Sequence, residues 1–186
     1  FKAFENFSKN NMLIEDFGLA GYSRTISPQL SFFFLNTAFC SCGGYNHIED
    51  QGHLKVETSA LNDWILKNDG KKKVLVMHHP IEHRVDDCQH EILSLLRSKI
   101  DIVLSGHTHY EIAENIDNGD GVKYLKMTSP QLFSSKGDLN GYSVMRFDER
   151  QLEEIQFRQY SGRFNKFLPG LDFSGEGSGV QRFDKS

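Results

Sequence analysis

Three histidines follow short apolar segments, the position at which a buried strand delivers side chains to the edge of a sheet. Two of them, His107 and His109, occur in the segment Ser-Gly-His-Thr-His that begins at Ser105. The third, His78, opens the segment His-His-Pro after an apolar run that ends at Met77. With Gly106 allowing a close approach, two histidines one residue apart on an extended loop can each direct a ring nitrogen to a nearby cation.

The elements that would position these histidines alternate along the chain. We predict buried strands and amphipathic helices from the apolar periodicity. The strands are Gln29–Phe39, Lys73–Met77 and Asp101–Ser105, and the helices run from Thr58 or Ser59 to about Asn68 and over Glu91–Ser98. Strand, helix and strand at this spacing predict parallel crossovers, whose carboxyl ends meet at one edge of the sheet. The 29 residues between His78 and His107 suit such a unit, so these two side chains should meet.

The remainder of the chain has a different pattern. Residues 1–18 have nearly helical apolar spacing, which predicts a helix followed by a loop. After Tyr110, short strands separated by Gly- and Asp-rich turns predict an antiparallel meander. These strands are Glu111–Ile116, Val122–Met127, Tyr142–Phe147 and Leu152–Tyr160. Residues 161–186, rich in Gly, Ser and Phe, are expected to be an extended tail or a linker.

The order of these motifs resembles the second half of the calcineurin-like metallophosphoesterases. That family holds two metal ions with an ordered series, namely D-x-H, G-D-x-x-D, G-N-H-[DE], a lone His and G-H-x-H. His78 matches the lone His, and His107 and His109 match the last motif. The resemblance covers roughly Gln29 to Tyr160, including the segment Leu35-Asn-Thr-Ala, and implies an α/β fold, a β-sandwich flanked by helices. It also implies two divalent ions (Mn, Zn or Fe), one on His78 and His107 and the other on His109.

Departures from the family pattern are equally informative. Neither D-x-H nor G-D-x-x-D occurs in the sequence, so the carboxylate that bridges the two ions in the family is not identified. A segment around Asn46 and His47 resembles an interrupted G-N-H-E, but it follows the Leu35-Asn-Thr-Ala strand rather than preceding it. We therefore expect residues 1–160 to be the C-terminal part of such a domain, with three of the five motifs upstream of Phe1. The isolated fragment would then be inactive.

Other polar residues admit simpler interpretations. His79 points away from its neighbour in an extended segment, which favours packing or a supporting role over ligation. Cys40 and Cys42 with His47 and His53 could form a zinc site, but their spacing matches no common finger and favours an ordinary loop. His83, Arg84 and His90 could contact a substrate phosphate, although exposed loop residues are the expected description. Arginines, lysines and aromatics alternate in the last 30 residues or so, an arrangement that favours contact with a neighbouring domain over single-stranded nucleic acid.

Composition limits the classes of function. A net charge of −4, from 21 basic and 25 acidic residues, provides no general basic field for nucleic acid. No apolar run approaches the roughly 20 residues of a membrane helix, so no membrane partner is expected. Three cysteines cannot all pair within the chain, which favours a reducing cytoplasm.

Two hypotheses follow for function. The first is a metallophosphoesterase that hydrolyses phosphomonoesters or phosphodiesters, nucleic acid and nucleotides included, by a two-metal mechanism; phosphatase and nuclease are both possible activities. It would need its upstream segment and could carry a further C-terminal domain. The second is a metallophosphoesterase-like module without catalysis that binds or regulates a partner, which the lack of an identified bridging carboxylate keeps open.

Overall fold

The computed structural model describes residues 18–41, 51–97, 99–108, 112–117, 119, 123–132, 140–148, 151–170 and 177–183. Within them the chain forms two β-sheets and two α-helices. None of the described helices is long and apolar enough to cross a membrane.

The first sheet has six strands and carries the site. Its strands are β1 (Gly21–Ser27), β2 (Leu30–Leu35), β3 (Lys72–Met77), β4 (Ile102–Ser105), β5 (Ile112–Asp117) and β6 (Lys123–Thr128). The order is β1-β2-β3-β4-β6-β5, in which β2, β3, β4 and β6 are mutually parallel and the two edge strands are antiparallel. The carboxyl ends of β2, β3 and β4 therefore lie side by side.

The helices cover one face of this sheet. Helix α1 (Ser59–Lys67) buries Leu61, Trp64 and Ile65, a spacing of three and four residues that forms one apolar stripe. Helix α2 (Asp86–Leu96) begins with two aspartates, which suit the positive end of the helix dipole, and buries residues four apart. Both stripes pack against side chains such as Phe33 and Leu75 of the central strands. Burial of these large apolar side chains stabilises the crossovers that bring the strands together.

The second sheet packs on the opposite face. It contains β7 (Gly141–Asp148), β8 (Gln151–Ser161), β9 (Lys166–Pro169) and β10 (Val180–Arg182), and β8 pairs with all three others. Ile155 and Phe157 of β8 are fully buried against Val74 and Ile102 of the first sheet. Alternate residues of β3 thus face α-helices or the second sheet, which explains its continuous apolar sequence.

Most of the predicted elements are confirmed, with four differences. The strand β1 was not predicted, and the strand predicted over Gln29–Phe39 ends already at Leu35. The helix predicted over Glu91–Ser98 begins earlier, at Asp86. The expected meander is divided between the two sheets, with β6 also pairing in parallel with β4.

The region expected to be an extended tail or linker is ordered in two places. Residues 166–169 and 180–182 are strands β9 and β10, which pair with different parts of the edge of β8 that faces away from β7. These stretches belong to the second sheet because their backbone groups find partners there, a contribution that side-chain periodicity does not reveal. The helix expected in the first 18 residues falls almost wholly outside the described residues.

Candidate metal centre

Parallel pairing brings His78 and His107 together at the carboxyl edge of the first sheet. His78 directly follows β3, and His107 lies two residues after β4. The backbone N–H of Gly106 donates to the carbonyl oxygen of His78 at 3.0 Å, which extends the β3–β4 contact into the loops. The Nδ1 atom of His107 consequently lies 3.2 Å from Nε2 of His78. The sequence-based expectation that these side chains meet matches the geometry.

The backbone of this loop differs from expectation in one respect. Gly106 was expected to allow a close approach, but a Cβ atom there would lie 3.7 Å from Nδ1 of His78, an ordinary contact. The unusual conformation belongs instead to His107, whose φ is +70°. This left-handed backbone turns the chain after β4, and the His107 ring reaches His78 from that turn.

His79 is held from the neighbouring strand β2. It is 3% exposed, and its Nδ1 lies 3.1 Å from the hydroxyl oxygen of Thr37, two residues beyond the end of β2. The same hydroxyl oxygen accepts the backbone N–H of His79 at 3.1 Å. Two contacts to one buried threonine restrict the ring. The expectation that His79 supports the ligands rather than binding metal stays a prediction. A motif search has no reason to select Thr37, since only the β2–β3 pairing places it here.

Arg84 is the largest departure from the sequence-based interpretation. It was expected on an exposed loop, but it is fully buried. Its guanidinium donates to the carbonyl oxygens of His79 and Pro80 and contacts Sδ of Met77 at 3.6 Å. Burial lowers the pKa of Arg84 to about 10, so the group remains a cation at neutral pH. Arg84 thus stabilises the His-His-Pro turn through hydrogen bonds to its carbonyl groups, and its buried side chain is not placed to contact a substrate.

The donor set fits a transition-metal ion. One ring nitrogen from each of His78, His79 and His107 lies within 4.8 Å of the others. For a tetrahedral zinc ion with Zn–N bonds of about 2.05 Å, two nitrogen ligands are roughly 3.3 Å apart. The 3.2 Å between the His78 and His107 nitrogens agrees with that spacing. Imidazole ligands suit Zn and Fe in particular.

The other sequence candidates contribute less to this cluster. His109, the third predicted ligand, lies outside the described residues. Cys42 and His47 also lie outside them, while Cys40 is a free, exposed thiol and His53 contacts the carbonyl of Gln51. The expectation of an ordinary loop around Cys40 therefore stays a prediction.

A cavity of about 250 Å³ adjoins the histidine loops. Its described lining includes Thr108, Thr128, and an ion pair between Glu82 and Lys126 at 2.8 Å. Burial acts to raise the pKa of Glu82, but hydrogen bonding and the charge of Lys126 outweigh it and hold that pKa below its usual value. The pair joins the turn after the His-His-Pro segment to β6, so it forms a charged wall beside the histidines.

Comparison with known proteins agrees with this architecture. A family model described as calcineurin-like phosphoesterase matches residues 3–111. This range is more than half of the chain and includes all three predicted ligands. The chain belongs to the calcineurin-like phosphoesterase family. Its α/β fold of parallel strands, flanking helices and a second antiparallel sheet is therefore the metallophosphoesterase type that the sequence predicts.

One solved structure with this fold is a dimetal phosphatase from Danio rerio. It is 11% identical, with a TM-score of 0.52, and the alignment covers 75% of this chain. The chain spans 57% of the length of that structure. No curated protein matches the sequence.

Proposed function

We propose that this chain is part of a metal-dependent phosphoesterase that hydrolyses phosphomonoesters or phosphodiesters with two divalent ions. The observation that carries the proposal is the 3.2 Å approach of the His78 and His107 nitrogens beside a cavity. A pair of divalent ions supplies Lewis-acid stabilisation of the phosphate and an activated water at neutral pH. Family membership supports a phosphoesterase, and the Danio rerio structure supports a dimetal site by similarity of fold.

In this proposal the described residues hold the metal ion, orient its ligands and line the substrate cavity. His78 and His107 would hold one ion, with His109 assigned to the second by resemblance. Thr37 and Arg84 restrict the segment that carries His78 and His79, so the ligands are held before an ion arrives. Substrate would enter the cavity next to Thr108, where a phosphate oxygen would compete with Glu82 for the ammonium group of Lys126.

By resemblance to the family, the proposed metal site would be incomplete within these 186 residues. No motif supplies the bridging aspartate, the asparagine ligand, or the histidine that donates a proton to the leaving group in the family. Residues 1–160 would accordingly form the C-terminal part of the domain, and the missing ligands would come from residues outside this sequence. Choice among phosphomonoester, phosphodiester and nucleic acid substrates, and location in the cytoplasm, stay predictions.

Metal titration tests directly whether His78 and His107 bind a metal ion. The 186-residue chain should bind Co²⁺ or Zn²⁺ with an absorption or calorimetric signal, and His78→Ala or His107→Ala should weaken binding by tenfold or more. His90→Ala is the matched control, because His90 is exposed on α2, away from the cluster. Equal affinities for all three variants would refute the assignment.

Hydrolysis separates the enzyme from its alternative, a module that binds a partner without catalysis. A protein that also contains the D-x-H, G-D-x-x-D and G-N-H-[DE] motifs should hydrolyse bis-p-nitrophenyl phosphate with Mn²⁺ and lose this activity on His107→Ala. Metal binding without turnover in that protein would favour the non-catalytic module. The 186-residue chain alone should show no turnover in either case.

A further inference from the structure

Two adjoining cavities lie at the amino ends of β3, β4 and β6, opposite to the histidines. Their volumes are about 490 and 620 Å³, and both are lined by Lys72, Asp101, Lys123 and Gln151. β3 runs from Lys72 at this end to Met77 beside His78. At about 3.3 Å per residue, the two ends of the strand are roughly 17 Å apart. A ligand here would not contact the metal centre.

The larger cavity is rich in lysine. Five lysines line it, namely Lys71, Lys72, Lys73, Lys99 and Lys123. Lys72 pairs with Asp101, and Lys123 pairs with Asp117, each at 2.9 Å. Counting Asp69 as well, five positive and three negative charges leave +2 at this edge, whereas the whole chain carries −4. Positive charge is therefore concentrated here rather than spread over the surface.

Lys73 is the buried lysine among these five. It is 6% exposed, and its ammonium group donates to the carbonyl oxygen of Lys71 at 3.3 Å. Within the part of the chain that the structure describes, it pairs with no carboxylate. A buried ammonium is costly unless an opposite charge compensates it. An anion in the cavity would provide that compensation and would also meet Lys71 and Lys99 at the rim.

The smaller cavity has a different chemistry. Apolar side chains of the core between the two sheets, including Leu125, Leu152 and Phe183, form part of its wall, with Asn115 and Asp117 also lining it. Its volume falls within the 300–1,000 Å³ typical of small-molecule sites. A flat ring would lie against Phe183 while the polar groups bind its edge.

We propose that the adjoining cavities bind a nucleotide, with its phosphates on the lysines and its base against Leu152 and Phe183. Lysine suits this role because its ammonium is a compact charge that several phosphate oxygens can share. The shared lining by Lys72 and Lys123 places the two halves of such a ligand next to each other. The site is separate from the proposed phosphoesterase centre and does not depend on it.

Binding of ATP to the metal-free chain tests the proposal. The experiment uses the 186-residue His107→Ala protein in EDTA, so that nucleotide cannot be recruited through a metal ion. Calorimetry or equilibrium dialysis should show saturable ATP binding, at least about tenfold tighter than binding of tripolyphosphate or adenosine alone. Tripolyphosphate binding as tightly as ATP would overturn the assignment to a nucleotide, and absence of saturable binding would overturn the site.

Matched variants locate the bound nucleotide. Lys71→Gln combined with Lys99→Gln should weaken ATP binding by about tenfold or more, the loss expected for a charge-assisted hydrogen bond. Phe183→Ala should weaken ATP binding but leave tripolyphosphate binding unchanged. The control is Lys55→Gln, an exposed lysine outside both cavity linings. Equal loss in the control would refute the site, and urea unfolding verifies that each variant is folded.

Discussion

Replacing Arg84 with methionine tests which of two opposing effects dominates beneath the metal centre. The guanidinium is fully buried and donates to the carbonyl oxygens of His79 and Pro80. Among the described residues it forms no ion pair with a carboxylate. Methionine fills a similar volume and removes both the hydrogen bonds and the buried charge.

The magnitude follows from these contacts. In the variant the buried carbonyl of His79 loses both guanidinium contacts, which costs about 1 to 3 kcal/mol, and the carbonyl of Pro80 loses a further hydrogen bond of about 1 kcal/mol but keeps the N–H of His83. Removal of the buried cation offsets part of this, because transferring a charge from water is costly unless it is well compensated. The two terminal nitrogens of Arg84 donate to carbonyl dipoles in a planar geometry, while its buried Nε has no partner among the described residues, so we expect the lost hydrogen bonds to dominate. Arg84→Met should therefore lower the free energy of unfolding by about 2 to 3 kcal/mol.

Urea unfolding measures this change. With a slope of roughly 2 kcal/mol per M, the midpoint should fall by about 1 M or slightly more. Arg24→Met, at an exposed position of β1, is the control for loss of one positive charge and should leave the midpoint nearly unchanged. Arg84→Lys should recover part of the loss, since an ammonium can reach one of the two carbonyls. A methionine variant as stable as the original protein would refute the reasoning and show that desolvation of the cation dominates.

Two further predictions concern the loops of the site. Glu82→Gln should cost about 0.5 kcal/mol at pH 7, because Glu82 is largely exposed in its pair with Lys126. Since the pKa of Glu82 is lowered on folding, this stabilisation is complete above its ordinary pKa and is lost as pH falls through the lowered value. The urea midpoints of the two proteins should therefore converge in acid, and a constant difference would contradict the role of the charge. His107→Gly should be about 0.5 to 1 kcal/mol more stable than His107→Ala, because φ at this position is +70° and glycine adopts that conformation without strain. Thermal unfolding of the two variants measures this difference. A glycine variant less stable than the alanine variant would rule out a left-handed backbone at this position.

Sequence periodicity predicted the parallel part of the fold because both faces of those strands are covered. β3 reads as a continuous apolar run, and α1 shows the three- and four-residue spacing of a one-sided helix. The edge strand β1 lacks this signal, since it contains Arg24 and two serines and is exposed over much of its length. β9 and β10 are short and exposed, so their place in the second sheet depends on backbone pairing with β8.

The candidate site was predictable only where the proposed ligand residues occur in a recognisable local pattern. His78 and His107 follow their strands directly, and parallel pairing of neighbouring strands is sufficient to bring them together. Thr37 contacts His79 from a neighbouring strand, 42 residues away in sequence. Arg84 is only 5 residues from His79, but its buried side chain folds back to the carbonyl group of His79. Arg84 also contradicts the usual exposure of arginine, because its partners are carbonyl groups rather than a carboxylate. Such supporting residues become visible only when the tertiary structure is known.

The loop after β4 has an unfavourable backbone conformation at a residue of the candidate site. Glycine precedes the residue that has the left-handed backbone, and a side chain at Gly106 would meet no severe contact. His107 instead adopts φ of +70°, a region that glycine or asparagine accepts more readily. A strained non-glycine residue of this kind costs about 1 to 3 kcal/mol and persists where surrounding contacts over-determine it. Here the strained residue also carries the nitrogen that approaches His78, so the metal ligation proposed for His107, rather than turn preference, would account for a histidine at this position.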